Sequence, residues 1–377
     1  MTGKMKLHVP EHIAAIVPYP PGKPLEELER EYGISDSIKL ASNENPWGPS
    51  PRAVEAIGRV LSSLHRYPDG SSYYLTRALA EWTGAAPEEI VLGNGSNEVI
   101  EFLVKAFVRP GDEVITSHPS FLMYQKFVQI HGGTNIVIGL DSMQHDLAAI
   151  AARVGPRTRL IFLDNPNNPC GTLISEERFD RFLRMLPQEI IVVLDEAYVD
   201  FVPSDQRIDV LSFVRDPGDR PAVVALRTFS KAFGLAGLRV GFGLMHRDIA
   251  DLLHRVRQPF NINLPAQVGA LAALEDREHY RQTLEKTRKG RTWLSKQVRA
   301  LGCTPLPSHT NFFLVDVHGD ATRLYEAMLH QGVIIRSMRA YGYPEHIRVT
   351  VGTEEENQRF VRSLKYCLQT LGYVETA

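Results

Sequence analysis

Lys231 lies in the run Thr228-Phe229-Ser230-Lys231-Ala232-Phe233-Gly234-Leu235-Ala236-Gly237-Leu238-Arg239, beside two hydroxyls and eight residues before an arginine. It follows Ala222-Val223-Val224-Ala225-Leu226, which reads as a buried strand. An ammonium placed there loses hydration. Its pKa falls from the ordinary ~10.4, and the side chain becomes a nucleophilic amine suited to Schiff-base chemistry with an aldehyde. Thr228, Ser230 and Arg239 are donors suited to a phosphate held beside that amine. Ser-Lys pairs also occur on solvated surfaces, so this run does not decide the matter alone.

Two further apolar runs end in polar residues. Leu160-Ile161-Phe162-Leu163 leads into Asp164-Asn165-Pro166-Asn167-Asn168-Pro169, and Ile190-Ile191-Val192-Val193-Leu194 leads into Asp195-Glu196-Ala197-Tyr198. Short runs without alternation read as strands buried on both faces, hence parallel and covered by helices. Ligands of open parallel sheets bind beyond the carboxyl ends of the strands. Asn168, Asp195, Tyr198 and Lys231 are therefore expected to converge at one edge. An amine for an aldehyde, a carboxylate for a ring nitrogen and two hydrogen-bonding groups for a ring oxygen fit one aldehyde that carries a phosphate, pyridoxal 5'-phosphate (PLP).

The phosphate also needs backbone donors. Ile90-Val91-Leu92 reads as a strand, Gly93-Asn94-Gly95 as a tight turn and Ser96 as a helix N-cap. Val99, Phe102, Leu103, Ala106 and Phe107 follow at helical spacing. Glycines ahead of a helix N-terminus make an anion site, because free N–H groups and the helix dipole point at the ligand. Glu98 stands where a dinucleotide fingerprint requires its third glycine. A plain turn is the alternative reading of Gly93 to Gly95.

Over nearly its whole length the chain resembles the fold-type I PLP-dependent aminotransferases, and within them the histidinol-phosphate aminotransferase family. The resemblance rests on the Lys231 run, on Asn165-Pro166-Asn167-Asn168-Pro169 and on Val193-Leu194-Asp195-Glu196-Ala197-Tyr198. It rests further on Pro18-Tyr19-Pro20-Pro21-Gly22-Lys23-Pro24, Leu40-Ala41-Ser42-Asn43-Glu44-Asn45-Pro46, Arg66-Tyr67-Pro68-Asp69 and Ile347-Arg348-Val349-Thr350-Val351-Gly352. Cys170 departs from the pattern, standing where threonine is usual before Gly171.

The resemblance implies roles. Lys231 would join the cofactor's aldehyde and later move a proton between the substrate Cα and the cofactor's C4′. Asp195 would pair with the pyridinium nitrogen, and Asn168 and Tyr198 would hold the ring oxygen. Gly95, Ser96, Asn97, Thr228, Ser230 and Arg239 would bind the phosphate, with Tyr67 arriving from a second subunit. Phe121 would stack on the ring, Tyr124 being close by. Arg348 and Arg336 would bind anionic substrate groups, and Tyr19 would line the substrate. Guanidinium suits that task because it binds carboxylate or phosphate through paired hydrogen bonds; Arg336 as a plain strand-end charge is the alternative. The implied reaction moves an amino group between L-histidinol phosphate and 2-oxoglutarate, giving imidazole acetol phosphate and L-glutamate, in histidine biosynthesis. An aromatic amino-acid aminotransferase, a PLP-dependent decarboxylase of a phosphorylated amino acid and a non-catalytic module of the same fold are the other readings. Lys231, Asp195 and Arg348 together disfavour the last. The resemblance also implies a homodimer.

The fold expected is α/β: a large domain over 41–270 with a mostly parallel sheet and helices on both faces, and a small α+β domain built from 271–377 with the N-terminal segment 1–40. A short helix is expected around Leu25 to Glu31, one long helix from about 271 to 300, and strands at Asn311–Val315, Val333–Ile335 and Ile347–Val351 before a last helix from about Glu354.

Composition excludes several function classes. The 377 residues carry 42 Lys and Arg against 44 Asp and Glu, a net charge of -2, which gives no bulk attraction to nucleic acid or anionic membrane. The basic stretch Arg281 to Arg299 reads as the solvated side of an amphipathic helix rather than a nucleic-acid face. The 13 histidines lack zinc-type spacing, so no metal is expected. No Gly-x-x-x-x-Gly-Lys-Ser/Thr occurs, against nucleotide hydrolysis. Three scattered cysteines indicate no disulfide framework, and neither a secretory signal nor a run of ~20 apolar residues is present, so a cytoplasmic location is expected.

Overall fold

The computed structural model describes residues 7–18, 30–31, 33–34 and 36–374. Tyr19 and most of the helix expected around Leu25 to Glu31 lie outside the described residues.

The main sheet comprises β2 (Ile90–Gly93), β3 (Glu113–His118), β4 (Thr134–Asp141), β5 (Gln144–His145), β6 (Thr158–Asp164), β7 (Ile191–Asp195), β8 (Ala222–Thr228) and β9 (Gly241–Met245), in the order β2-β9-β8-β7-β6-β3-β4-β5. The pairs from β4 through β3, β6 and β7 to β8 are parallel; β9 is antiparallel to both its neighbours. The unalternating runs of the sequence are explained by two cores. Ile161, Leu163, Val192, Leu194, Val223 and Ala225 enter one, and Leu160, Phe162, Ile191, Val193, Val224 and Leu226 enter the other. Side chains alternate across the strand, yet both faces meet helices, so every position is apolar.

The smaller sheet runs β10-β11-β14-β13, from β10 (Thr304–Pro305), β11 (Phe312–Asp316), β13 (Arg336–Ser337) and β14 (His346–Thr350), all antiparallel. Phe313 and Val315 pack with Leu294, Val298, Leu324, Met328, Phe360 and Leu364 of the helices beside it. The last helix, Glu354–Thr370, opens on a capping box between Thr353 and Glu356.

Three expectations need correction. Val333–Ile334 is a strand (β12), but it leaves the small sheet and pairs in parallel with β1 (Ile38–Lys39); Arg336–Ser337 takes the sheet edge instead. The long helix is two, Leu264–Glu275 and Arg277–Ala300, parted at Asp276, whose carboxylate accepts from the His279 N–H at 3.2 Å and so starts a new helix. Ser96 is the first helical residue of Ser96–Phe107 and not its cap; Gly95 holds that place at φ +76°.

The pairing of β1 with β12 matters for the site. Leu40 continues it, donating to the Ile334 carbonyl at 2.8 Å and accepting from Thr350 N–H at 2.9 Å. This stitching delivers Ala41, Ser42 and Asn43 to the gap between the two sheets.

Candidate active site

A cleft of about 310 Å³ opens beyond the carboxyl ends of β6, β7 and β8. Ser96, Asn97, Phe121, Asn168, Asp195, Tyr198, Thr228, Ser230, Lys231, Arg239, Arg336 and Arg348 all line it. Those segments are far apart in sequence; the parallel strands bring Phe121, Asn168, Asp195, Tyr198 and Lys231 to one edge, and β13 and β14 of the small sheet add Arg336 and Arg348.

Lys231 follows β8 directly, in a turn where Thr228 Oγ1 accepts from the Ser230 N–H at 3.1 Å. Its Nζ donates to the Ser42 carbonyl at 3.4 Å and lies 5.6 Å from the Tyr198 ring centre. Burial, reinforced by the Arg348 and Arg239 charges and opposed by Glu44, lowers its pKa to about 8. The amine form is therefore within reach near neutrality.

Asp195 ends β7 and is buried. It accepts from Tyr124 Oη at 2.7 Å and from Ala197 N–H at 3.0 Å. Burial pushes its pKa up to about 6, Asp164 on the neighbouring strand adds to that, and the Tyr124 bond works the other way. Among the described residues no cationic side chain pairs with Asp195. Its neighbour Glu196 points oppositely and is held by Arg227 at 2.8 Å.

Tyr198 Oη accepts from Asn43 Nδ2 at 2.9 Å, and burial raises its pKa to about 12, so it remains a hydroxyl donor. Asn168 sits in a loop pinned by its own side chains. Asn165 Oδ1 accepts from Ile174 N–H at 2.8 Å and Asn167 Oδ1 from Cys170 N–H at 2.9 Å. Arg348 Nη1 donates to Asn168 Oδ1 at 2.6 Å and its Nη2 to the Ala41 carbonyl at 2.7 Å. Arg336 stands opposite Arg348 across β13 and β14.

The turn before Ser96 packs closely against Arg239 and β9. A Cβ on Gly95 would lie 2.5 Å from Arg239 Nη2, and one on Gly241 of β9 would lie 2.4 Å from Ser96 N. Arg239 itself adopts φ +58°, a conformation unusual for a side-chain-bearing residue, and its Nη1 reaches Ser230 Oγ at 3.4 Å. Glu98 Oε2 accepts from the Asn94 N–H at 2.6 Å, closing the turn that precedes the helix.

Phe121 lines the cleft and meets Tyr124 edge-on at 5.4 Å. Tyr67 is not brought to this chain's own cleft: it is 83% exposed and stacks on Phe260 at 4.8 Å. Asn43, Tyr124, Asp164 and Tyr341 belong to the site but were not assigned from sequence. Asn43 and Asp164 lie in quoted motifs and Tyr124 beside Phe121, but none carries a role there; Asn43 adopts φ +55°, which asparagine tolerates.

In the basic helix, Arg281 pairs with Glu278 at 2.8 Å and Lys289 with Glu285 at 2.7 Å, while Arg291 turns inward to the Thr310 carbonyl.

A mostly parallel sheet with a half-buried lysine, a buried carboxylate and Arg239, Arg336 and Arg348 lining one cleft at its strand ends defines a class of enzyme, and the family model for aminotransferase class I and II matches residues 35–364; the chain belongs to that family. Its relatives narrow the class. The chain is 62% identical over 370 residues to a histidinol-phosphate aminotransferase of Desulfotalea psychrophila, covering 98% of each chain. It is 45% identical to that of Moorella thermoacetica, covering 95% of this chain and 92% of the relative. The solved histidinol-phosphate aminotransferase of Sinorhizobium meliloti, in complex with pyridoxal-5'-phosphate, superposes with a TM-score of 0.90 at 28% identity, over 98% of this chain and 99% of that one. Among the described residues no helix is long and apolar enough to cross a membrane.

Proposed function

We propose that this enzyme uses PLP to transfer an amino group between L-histidinol phosphate and 2-oxoglutarate, yielding imidazole acetol phosphate and L-glutamate, as a step of histidine biosynthesis. The observation that carries the substrate reading is the pair Arg336 and Arg348, opposite each other on β13 and β14 and lining the same cleft as Lys231. They suit a phosphate monoester in one half of the cycle and a dicarboxylate in the other. The names of the relatives agree.

The residues fit the cofactor. Asp195 is a buried carboxylate with a raised pKa and, among the described residues, no cationic partner, which suits a protonated ring nitrogen. Gly95, Ser96, Asn97, Thr228, Ser230 and Arg239 form a donor cup at a helix N-terminus, where a phosphate is stabilised. PLP supplies an aldehyde that takes up amino groups and a cationic ring that draws electrons from the substrate Cα.

The chain's own side chains do the rest. Lys231 Nζ would hold the cofactor, and its amine form would take the proton from the substrate Cα. Asn168 Nδ2 and Tyr198 Oη would donate to the ring oxygen, leaving Asn168 Oδ1 on Arg348. Phe121, which lines the cleft, would cover the ring face and keep water from it. Tyr67, exposed on its own chain, serves the cup of a second copy in a homodimer, and the enzyme works in the cytoplasm. We also retain the division into a large domain over 41–270 and a small one from 1–40 with 271–377. A steady-state assay tests the reading: histidinol phosphate and 2-oxoglutarate should yield glutamate, and failure to form glutamate would refute it.

A further inference from the structure

Asp164, the last residue of β6, is 4% exposed and receives more hydrogen bonds than any role named above requires. Its Oδ1 accepts from Ser120 Oγ at 3.0 Å and from Asn167 Nδ2 at 3.0 Å, and its Oδ2 accepts from the Asn168 N–H at 2.8 Å. His145, 3% exposed, brings Nε2 to 3.0 Å from Oδ1 and 3.0 Å from the Asp164 carbonyl. Both of those partners are acceptors, so Nε2 carries a hydrogen. The other ring nitrogen lies 2.6 Å from Ser117 Oγ.

We infer that Asp164 is a positioning residue for the anion site. It fixes the Asn168 main chain, so that Asn168 Oδ1 meets Arg348 and its Nδ2 is left for the cofactor; His145 braces Asp164 from β5. This rests on the proposed aminotransferase reading, because it assigns Asn168 and Arg348 to ligands. Arg348 depends on the arrangement, since Asn168 Oδ1 accepts from its Nη1 at 2.6 Å.

The chemistry demands a carboxylate. Donors converge on Asp164 from several sides, and an ionised carboxylate is acceptor-only. An amide in its place turns an NH2 toward one of those donors. Either Asn168 or the Ser120–Asn167–His145 side then loses its partner, and a buried donor without one is costly. Asp164 lines the cleft and its charge also raises the Asp195 pKa, but its hydrogen bond to the Asn168 N–H is the route to Arg348.

A double-mutant cycle separates positioning from mere structural support. Asp164→Asn, Asn168→Ala and the double variant are prepared as holoenzymes, and the half-reaction with L-histidinol phosphate is followed by the cofactor's visible spectrum. D164N should raise the half-saturating substrate concentration roughly 10-fold, as loss of an outer contact to a positioned ligand does. In the N168A background D164N should add less than about twofold, because the two act as one unit. A full additive effect, or a wild-type value for D164N, overturns the inference. Should D164N fail to fold, His145→Gln enters the same cycle with the same non-additivity required. Wild-type enzyme is run alongside: if it does not convert the substrate, the functional reading has failed, whereas conversion by wild type with an unaltered D164N defeats only the role of Asp164.

Discussion

Arg336 and Arg348 are directly opposite each other on antiparallel strands, in one ladder of the small sheet. Like charges in that relation repel and destabilise the sheet. Both line the cleft, and Arg348 is buried. An anion between them turns the repulsion into binding energy. Arg336→Gln should therefore raise KM for histidinol phosphate roughly 10- to 100-fold, the loss of one or more charged hydrogen bonds. The apoprotein of that variant should unfold at no lower temperature than wild type. An unchanged KM would show that Arg336 is a plain strand-end charge.

Lys231 makes a pH prediction. Its amine form grows as pH rises toward the pKa of about 8 set by burial and by Arg348. The rate at which apoprotein captures PLP should rise with pH to a midpoint near about 8. Stopped-flow absorbance measures this directly; a midpoint near the ordinary ~10.4 of a solvated lysine would contradict the burial argument.

Asp195 makes another. Its folded pKa of about 6 lies above the ~3.9 of an unfolded aspartate. Its contribution to apoprotein stability is full below about pH 4 and is lost as pH rises through about 6. PLP should reverse that loss by supplying a cation. Tyr124→Phe removes a bond that lowers this pKa, so activity of the variant should begin to fall at a higher pH than in wild type as the solution is acidified. Matching acid limbs for the two enzymes would show that the Tyr124 bond does not tune Asp195.

Gly95 tests the cup. An alanine there suffers both its φ of +76° and the 2.5 Å approach of Arg239 Nη2. Gly95→Ala should fold but bind PLP at least about 10-fold more weakly, since displacing Arg239 removes a charged donor. Equilibrium titration of apoprotein with PLP decides it, and wild-type affinity would disprove the close fit.

Much of this site was legible because its residues sit at ends of apolar runs. Asp195 ends, and Asn168 and Lys231 follow, strands whose burial is written in uninterrupted Val, Ile, Leu and Phe or Ala. What was not legible depends on contacts between distant segments. Asn43 reaches Tyr198 across 155 residues, and Tyr124 reaches Asp195 across 71. Nothing local in either sequence marks such a bond. The pairing of Ile38–Lys39 with Val333–Ile334 was hidden for the same reason: two-residue strands carry no periodicity. The cap of Ser96–Phe107 was misread because serine is the commoner cap, while close packing against Arg239 leaves room only for glycine at Gly95.

The central claim is tested most directly by a half-reaction. Purified enzyme carrying PLP is mixed with L-histidinol phosphate alone, and its visible spectrum is followed in time. Rapid loss of the lysine-bound cofactor's band, with appearance of the pyridoxamine form, is the predicted result, and Lys231→Ala should abolish it. A spectrum that stays unchanged with histidinol phosphate yet converts with phenylalanine or tyrosine would contradict the account and make the enzyme an aromatic amino-acid aminotransferase.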